Sequence, residues 1–106
     1  MPKYLMQISY TADGAKGLAK DGGTKRRAAA KALVESLGGT LECMYFAFGD
    51  SDVICIVDGP DAAGMAAASL TLGASGAVTT KTTVLLTVEE MDAAVKKTTS
   101  YTAPGR

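Results

Sequence analysis

The order of periodic segments in this 106-residue chain predicts an α+β fold of the ferredoxin-like, split βαβ kind. Three observations carry that expectation. Residues 3–10, 40–48, 52–58 and 77–87 have strand character. Helical patterns separate the first from the second and the third from the fourth. The second and third are joined by the short turn Gly49-Asp50-Ser51, which makes an antiparallel hairpin. Right-handed crossovers then place two helices on one face of a four-stranded antiparallel sheet of strand order 4-1-3-2.

The first strand, KYLMQISY, alternates. Tyr4, Met6, Ile8 and Tyr10 are the more apolar set and are expected to face the helices; Leu5, Gln7 and Ser9 point the other way. Thr11 to Gly23 is less regular and predicts a short turn around Leu18, capped by Thr11 or Asp13 and broken at Asp21-Gly22-Gly23. Thr24 is the expected cap of a better helix, in which Ala30, Leu33, Val34 and Leu37 form the buried stripe. Lys31 and Glu35 are four apart on its wet side. Gly38-Gly39 ends it, with one glycine left-handed.

In the hairpin, Leu41, Cys43, Tyr45 and Ala47 share one phase of the second strand, and Met44, Phe46 and Phe48 share the other. Apolar residues in both phases imply that both faces of the sheet are covered at least in part. The expectation is a homodimer with its sheets paired face to face. The rival is a C-terminal helix or tail folded back over the second face. Gly59-Pro60-Asp61 starts a small-residue helix from Ala62 to Leu72, with Pro60 in its first turn, and Gly73 to Gly76 ends it. The β-branched run that follows puts Val78, Thr80, Thr82, Val84 and Leu86 on one face, and Thr79, Lys81, Thr83 and Leu85 on the other. Thr87 and Glu90 form a capping box for a last helix from Val88 to about Lys97. Tyr101 is a candidate anchor for the irregular tail.

Composition narrows the function classes. Apolar residues are 47% and charged residues 21%, as in a globular chain of one domain. Eleven basic and eleven acidic residues leave a formal net charge of +0, which argues against a nucleic-acid binder and permits self-association. There is no histidine, so Ser-His-Asp and Cys-His catalysis, histidine-containing zinc sites and histidine-ligated haem are excluded. Cys43 and Cys55 sit in apolar runs and read as small hydrophobes. No apolar run is long enough to span a membrane, and the first ten residues read as a strand, not a signal peptide. The expectations are a cytoplasmic protein with no cofactor, no metal, no membrane and no nucleic-acid partner.

The chain resembles the GYD-domain family, a group of short proteins with no assigned activity. The resemblance runs nearly end to end. It is carried by KYLMQISYTADG, Arg27 within GTKRR, Gly38-Gly39, Tyr45 within MYFAFGD, Asp52, Pro60 and TTVLLTVEE. The stretch for which that family is named reads Gly49-Asp50-Ser51-Asp52 here, with serine in place of tyrosine. The resemblance implies similarity to dimeric α/β-barrel proteins, which supports the fold and transfers no reaction.

Three clusters are candidates for chemistry. Lys16, Lys20, Lys25, Arg26, Arg27 and Lys31 gather around a helix start, where unpaired N–H groups favour anions; the GxxxxGK[ST] phosphate loop is absent. A solvated helix face is the plainer reading of these cations. Asp50, Asp52, Asp58 and Asp61 read as turn residues and caps at opposite ends of the third strand. Tyr4, Tyr10, Tyr45, Phe46 and Phe48 are core aromatics that can also line a pocket, and no RNA-binding aromatic motif accompanies them. The ligand-binding set is Arg27, Tyr10, Tyr45 and Asp52, with the pocket between sheet and helices. The leading function is a non-catalytic homo-oligomer that binds a small or anionic ligand. The alternatives are a cofactor-independent isomerase or monooxygenase-like enzyme using those four residues for proton transfer, and a subunit of a larger complex.

Overall fold

A computed structural model describes residues 2–106. Its elements are β1 (Lys3–Tyr10), α1 (Ala12–Asp21), α2 (Gly23–Ser36), β2 (Thr40–Phe46), β3 (Val53–Asp58), α3 (Ala62–Ala74), β4 (Val78–Leu85) and α4 (Val88–Val95). The strands form one antiparallel sheet in the order β2-β3-β1-β4, the expected order viewed from its other edge.

Register decides which side chains meet. Tyr4 lies opposite Val57, and Met6 opposite Cys55, so these four share a face with Val53. All five are buried, together with Val34 of α2 and Met65 and Ala68 of α3. This is the helix-covered face, and β1 presents the residues its alternation predicted. The side chains of Leu5, Ile54, Ile56, Cys43 and Tyr45 point to the opposite face. None of these five is fully buried.

The segment expected as a short turn is a ten-residue helix, α1. Thr11 makes it possible by holding both sides of the junction. Its hydroxyl accepts from the Gly14 N–H at 3.2 Å and donates to the Gly76 carbonyl at 2.8 Å. The expected break at Gly22 survives as a corner between two helices, with Gly22 at φ 79°. Consequently Gly22, not Thr24, caps α2, and it offers no side-chain bond. Asp61 caps α3 through the Gly64 N–H at 2.8 Å, so Pro60 precedes that helix instead of lying in its first turn. The Thr87–Glu90 capping box of α4 forms as expected.

A bulge in β2 changes one face assignment. Leu41 lies opposite Val57, yet Cys43 lies opposite Ile56, leaving Glu42 as an extra residue. Leu41 therefore joins Met44 and Phe46 on the helix side, although simple alternation grouped it with Cys43 and Tyr45. Glu42 is exposed and pairs with Lys3, whose ammonium also lies 4.0 Å from Asp58.

The C-terminal segment does not fold back over the second face. α4 makes no substantial packing with any other element, and every residue from Val88 to Val95 is exposed. Tyr101 is 79% exposed and is not an anchor among the described residues. The projecting arm gives a radius of gyration of 17.0 Å and a longest dimension of 58 Å. A compact chain of this length has a radius near 13 Å. Among the described residues, no helix is long and apolar enough to cross a membrane.

Two glycines of α1 give a paired test of how the helix docks. A Cβ on Gly14 would lie 1.9 Å from the Ala77 carbonyl oxygen, whereas one on Gly17 meets open space. Alanine gains up to about 1 kcal/mol of helix propensity at either site. At Gly14 the clash is with backbone and outweighs that gain, so Gly14→Ala should destabilise by about 1–3 kcal/mol. Gly17→Ala should stabilise by about 0.5–1 kcal/mol. Urea unfolding measures both, and equal effects would show that α1 does not rest on the β4 entry.

Candidate functional site

α2 lies over the β2 edge of the sheet and α3 over the β4 edge. The space between them, above the central strands, is bordered by small residues such as Ala29, Ala30 and Ala68. A cavity of about 90 Å³ remains there. Met6, Ile8, Leu33, Met65 and Leu72 are among its apolar walls, and Tyr10 and Arg26 supply its polar end. Among the described residues, Arg26 is the only charged one in the lining.

Tyr10 reaches the cavity because it is the last residue of β1 on the helix-facing phase. Burial pushes its phenol above the ordinary value of 10.0, and the Arg26 guanidinium beside it pulls the other way. Arg26 Nη1 is 3.6 Å from Asp21 Oδ2, and Lys25 Nζ is 3.5 Å from Asp21 Oδ1. Part of the basic cluster is thus neutralised at the α1–α2 corner. Deeper in the cavity wall, burial pushes the Cys55 thiol up to about 11, with Cys43 adding to the shift. Cys55 stays protonated and behaves as the small hydrophobe its sequence context indicated.

Asp52 secures the other side of Tyr10. Its Oδ2 accepts from the Tyr10 N–H at 2.8 Å. Its own N–H donates to the Ile8 carbonyl, and its carbonyl accepts from the Ala47 N–H, both at 2.8 Å. One residue thereby ties the ends of β1, β2 and β3. Asp52 also lines an outer cleft with Tyr10, Leu18, Phe46 and Phe48. Just before it, Gly49 adopts φ 106°, a conformation that side chains disfavour.

Arg27 and Tyr45 lie elsewhere. They border a groove between α2 and the edge strand β2, together with Thr24, Lys31 and Met44. Tyr45 is 69% exposed, and Arg27 forms no ion pair among the described residues. The four residues singled out from sequence therefore fall into two pairs, Tyr10 with Asp52 and Arg27 with Tyr45. Arg26 is the residue that sequence reasoning missed at the cavity. The signal was present in the helical spacing: Arg26 lies four before Ala30 and eight before Val34, on the same stripe, whereas Arg27 is rotated by about 100°.

The aspartates separate as expected. Asp52 precedes Val53 at one end of β3, and Asp58 lies opposite Lys3 at the other, with Asp61 beyond it. Among the described residues, no group of three His, Cys, Asp or Glu is placed to hold a metal ion.

Two outcomes follow from this geometry. Asp52→Ala leaves the Tyr10 N–H without its charged acceptor and should cost about 1–3 kcal/mol in chemical unfolding, with the strand ends losing amide protection first. Tyr10 should give a phenolate absorbance step above pH 10 that Tyr10→Phe removes. Because the folded pKa is raised, the associated stability is intact below the unfolded value and is lost as pH rises through the folded one.

Searches of curated proteins and of solved structures found no match. The GYD domain matches residues 4–95, from the second residue of β1 to the last of α4. By a match that takes in every strand, the bulged hairpin and the Gly49–Asp52 turn, this chain belongs to the GYD-domain family.

Proposed function

We propose that this protein is a non-catalytic homo-oligomer that holds a small, largely apolar ligand with an anionic or hydrogen-bonding end. The observation that carries the ligand reading is the cavity between α2, α3 and the sheet, apolar throughout except for Tyr10 and Arg26. A phenol with a raised pKa remains a donor at neutral pH, and a guanidinium donates at every pH. Together they suit a carboxylate or a carbonyl oxygen. The volume sets the scale. An apolar cavity of about 150 Å³ accommodates benzene, so about 90 Å³ calls for a compact ligand or a slight parting of α2 from α3.

The enzymatic reading is less well supported. Proton transfer by Tyr10, Tyr45, Arg27 and Asp52 needs all four around one space, and they border different ones. The oligomeric reading rests on the uncovered sheet face, where Leu5, Ile54, Ile56 and Cys43 lie side by side. The formal net charge of +0 offers no repulsion against self-association.

Calorimetry and thermal unfolding with butyrate, hexanoate and benzoate test the ligand. At least one should bind and raise the melting temperature, and Arg26→Met should weaken it about tenfold, or roughly 1.4 kcal/mol. No binding by any of them at millimolar concentration would sink the reading; binding that ignores Arg26→Met would misplace the polar end. Cys43 reports on the sheet face. Its alkylation should slow as protein concentration rises through the oligomerisation range, while Cys55 stays unreactive until unfolding.

A further inference from the structure

We propose that the C-terminal arm of each chain docks on a second copy, seating α4 in the groove between α2 and β2 of its partner. The inference rests on the homo-oligomeric reading and assigns it a segment and a receptor.

The arm has a face and nothing to place it against. Val88, Met91 and Val95 recur at spacings of three and four on α4 and are 74%, 49% and 73% exposed. Leu86, just before the helix, is 58% exposed. An eight-residue helix is too short to persist alone in water, even with its capping box. Its order requires burial of that stripe, and the stripe is not buried within its own chain.

The second exposed apolar patch lies on the opposite edge of the sheet. Tyr45, Phe46 and Phe48, at the end of β2, are 69%, 46% and 106% exposed. β2 and β4 are the two edges, about 14 Å apart across three strand spacings, and the arm leaves from the β4 edge. When two sheets face each other about a two-fold axis parallel to the strands, the β4 edge of one lies opposite the β2 edge of the other. Arm and patch are then brought together twice, by one symmetry operation.

Charge selects the groove. Glu89 and Asp92, three apart, run along one margin of the α4 stripe, while Glu90 is occupied in the capping box. Neither Glu89 nor Asp92 forms an ion pair among the described residues. Arg27 and Lys31, four apart on α2, border the groove beside Tyr45 and Met44; Lys31 is shared with Glu35 at 3.7 Å, and Glu42, which also lines the groove, is taken up by Lys3. An acidic row on the arm thus meets a basic row on the receptor, each flanking an apolar strip. The arm begins close behind β4, so it can follow the partner's β2 edge without crossing either sheet.

Sedimentation at low salt tests this with the 106-residue chain. The parent should be a dimer. Glu89→Lys/Asp92→Lys and Arg27→Glu/Lys31→Glu should each weaken dimerisation tenfold or more. An equimolar mixture of the two variants should form the heterodimer at close to parental affinity, because each arm then meets a groove of opposite charge. Added salt should shrink all three effects. Hydrogen exchange on the unmodified protein covers the case of a variant that fails to fold: α4 amides should be protected in the dimer and lose protection on dilution. A parental dimer whose affinity ignores both charge reversals, or whose α4 amides exchange freely, would overturn arm docking and leave the dimer standing. A parent that is monomeric at micromolar concentration would overturn the oligomeric reading and this inference with it.

Discussion

A four-stranded sheet has two faces, and this chain brings its own cover for one. Tyr4, Met6, Val53, Cys55 and Val57 vanish beneath α2 and α3, and the fold's core lies there. Leu5, Ile54 and Ile56, one residue out of phase on the same strands, are left on the other face. Much of the molecule's organisation follows from that imbalance. The two covering helices approach the sheet most closely at its edges, α2 at β2 and α3 at β4, so the space between them is bordered by alanines and is not fully filled. The uncovered face and the projecting arm leave apolar surface that folding of a single chain does not remove from water.

Small backbone irregularities direct large side chains. Glu42 is a single additional residue in β2, yet it moves Leu41 to the core side while Cys43 and Tyr45 stay on the open side. The bulge also leaves the Glu42 carboxylate exposed, where Lys3 of β1 pairs with it. At the other end of the hairpin, Asp52 makes three bonds to two neighbouring backbone segments, its N–H and carboxylate engaging β1 and its carbonyl the residue after β2. That position requires a short acceptor side chain next to the turn, which gives Asp52 a structural role whatever the ligand. Tyr10 depends on this anchoring, since its backbone is held from one side by Asp52 while its ring borders the cavity on the other.

The polar end of the cavity is where adjacent positions on a helix part company. Arg26 continues the stripe of Ala30, Leu33 and Val34 and so reaches inward beside Tyr10. Arg27, one residue on, borders the outer groove with Tyr45. The two arginines look equivalent in a run of cations, and the helix turn separates them into different environments. Asp21, at the corner made by Gly22, takes up part of the positive charge of Lys25 and Arg26. Arg27 has no such partner among the described residues.

The amino-acid order by itself determined the strands, their antiparallel order, the inward set of β1, the helix end at Gly38-Gly39 and the α4 capping box. Each depends on local periodicity, glycine geometry or a side chain bonding to backbone a few residues away. Most of the α2 stripe was legible for the same reason. α1 was not, because Lys16, Gly17 and Gly22 have little intrinsic pattern; the helix is held by Thr11 reaching the Gly76 carbonyl, a partner 65 positions later. The phase of Leu41 was illegible because alternation has no marker for an inserted residue. Only the tertiary structure decided that Tyr10 shares its site with Arg26 while Arg27 and Tyr45 share another. Only the tertiary structure carried α4 away from the face it was expected to cover, because the direction in which a chain leaves an edge strand depends on the packing of the whole sheet and not on the residues that follow.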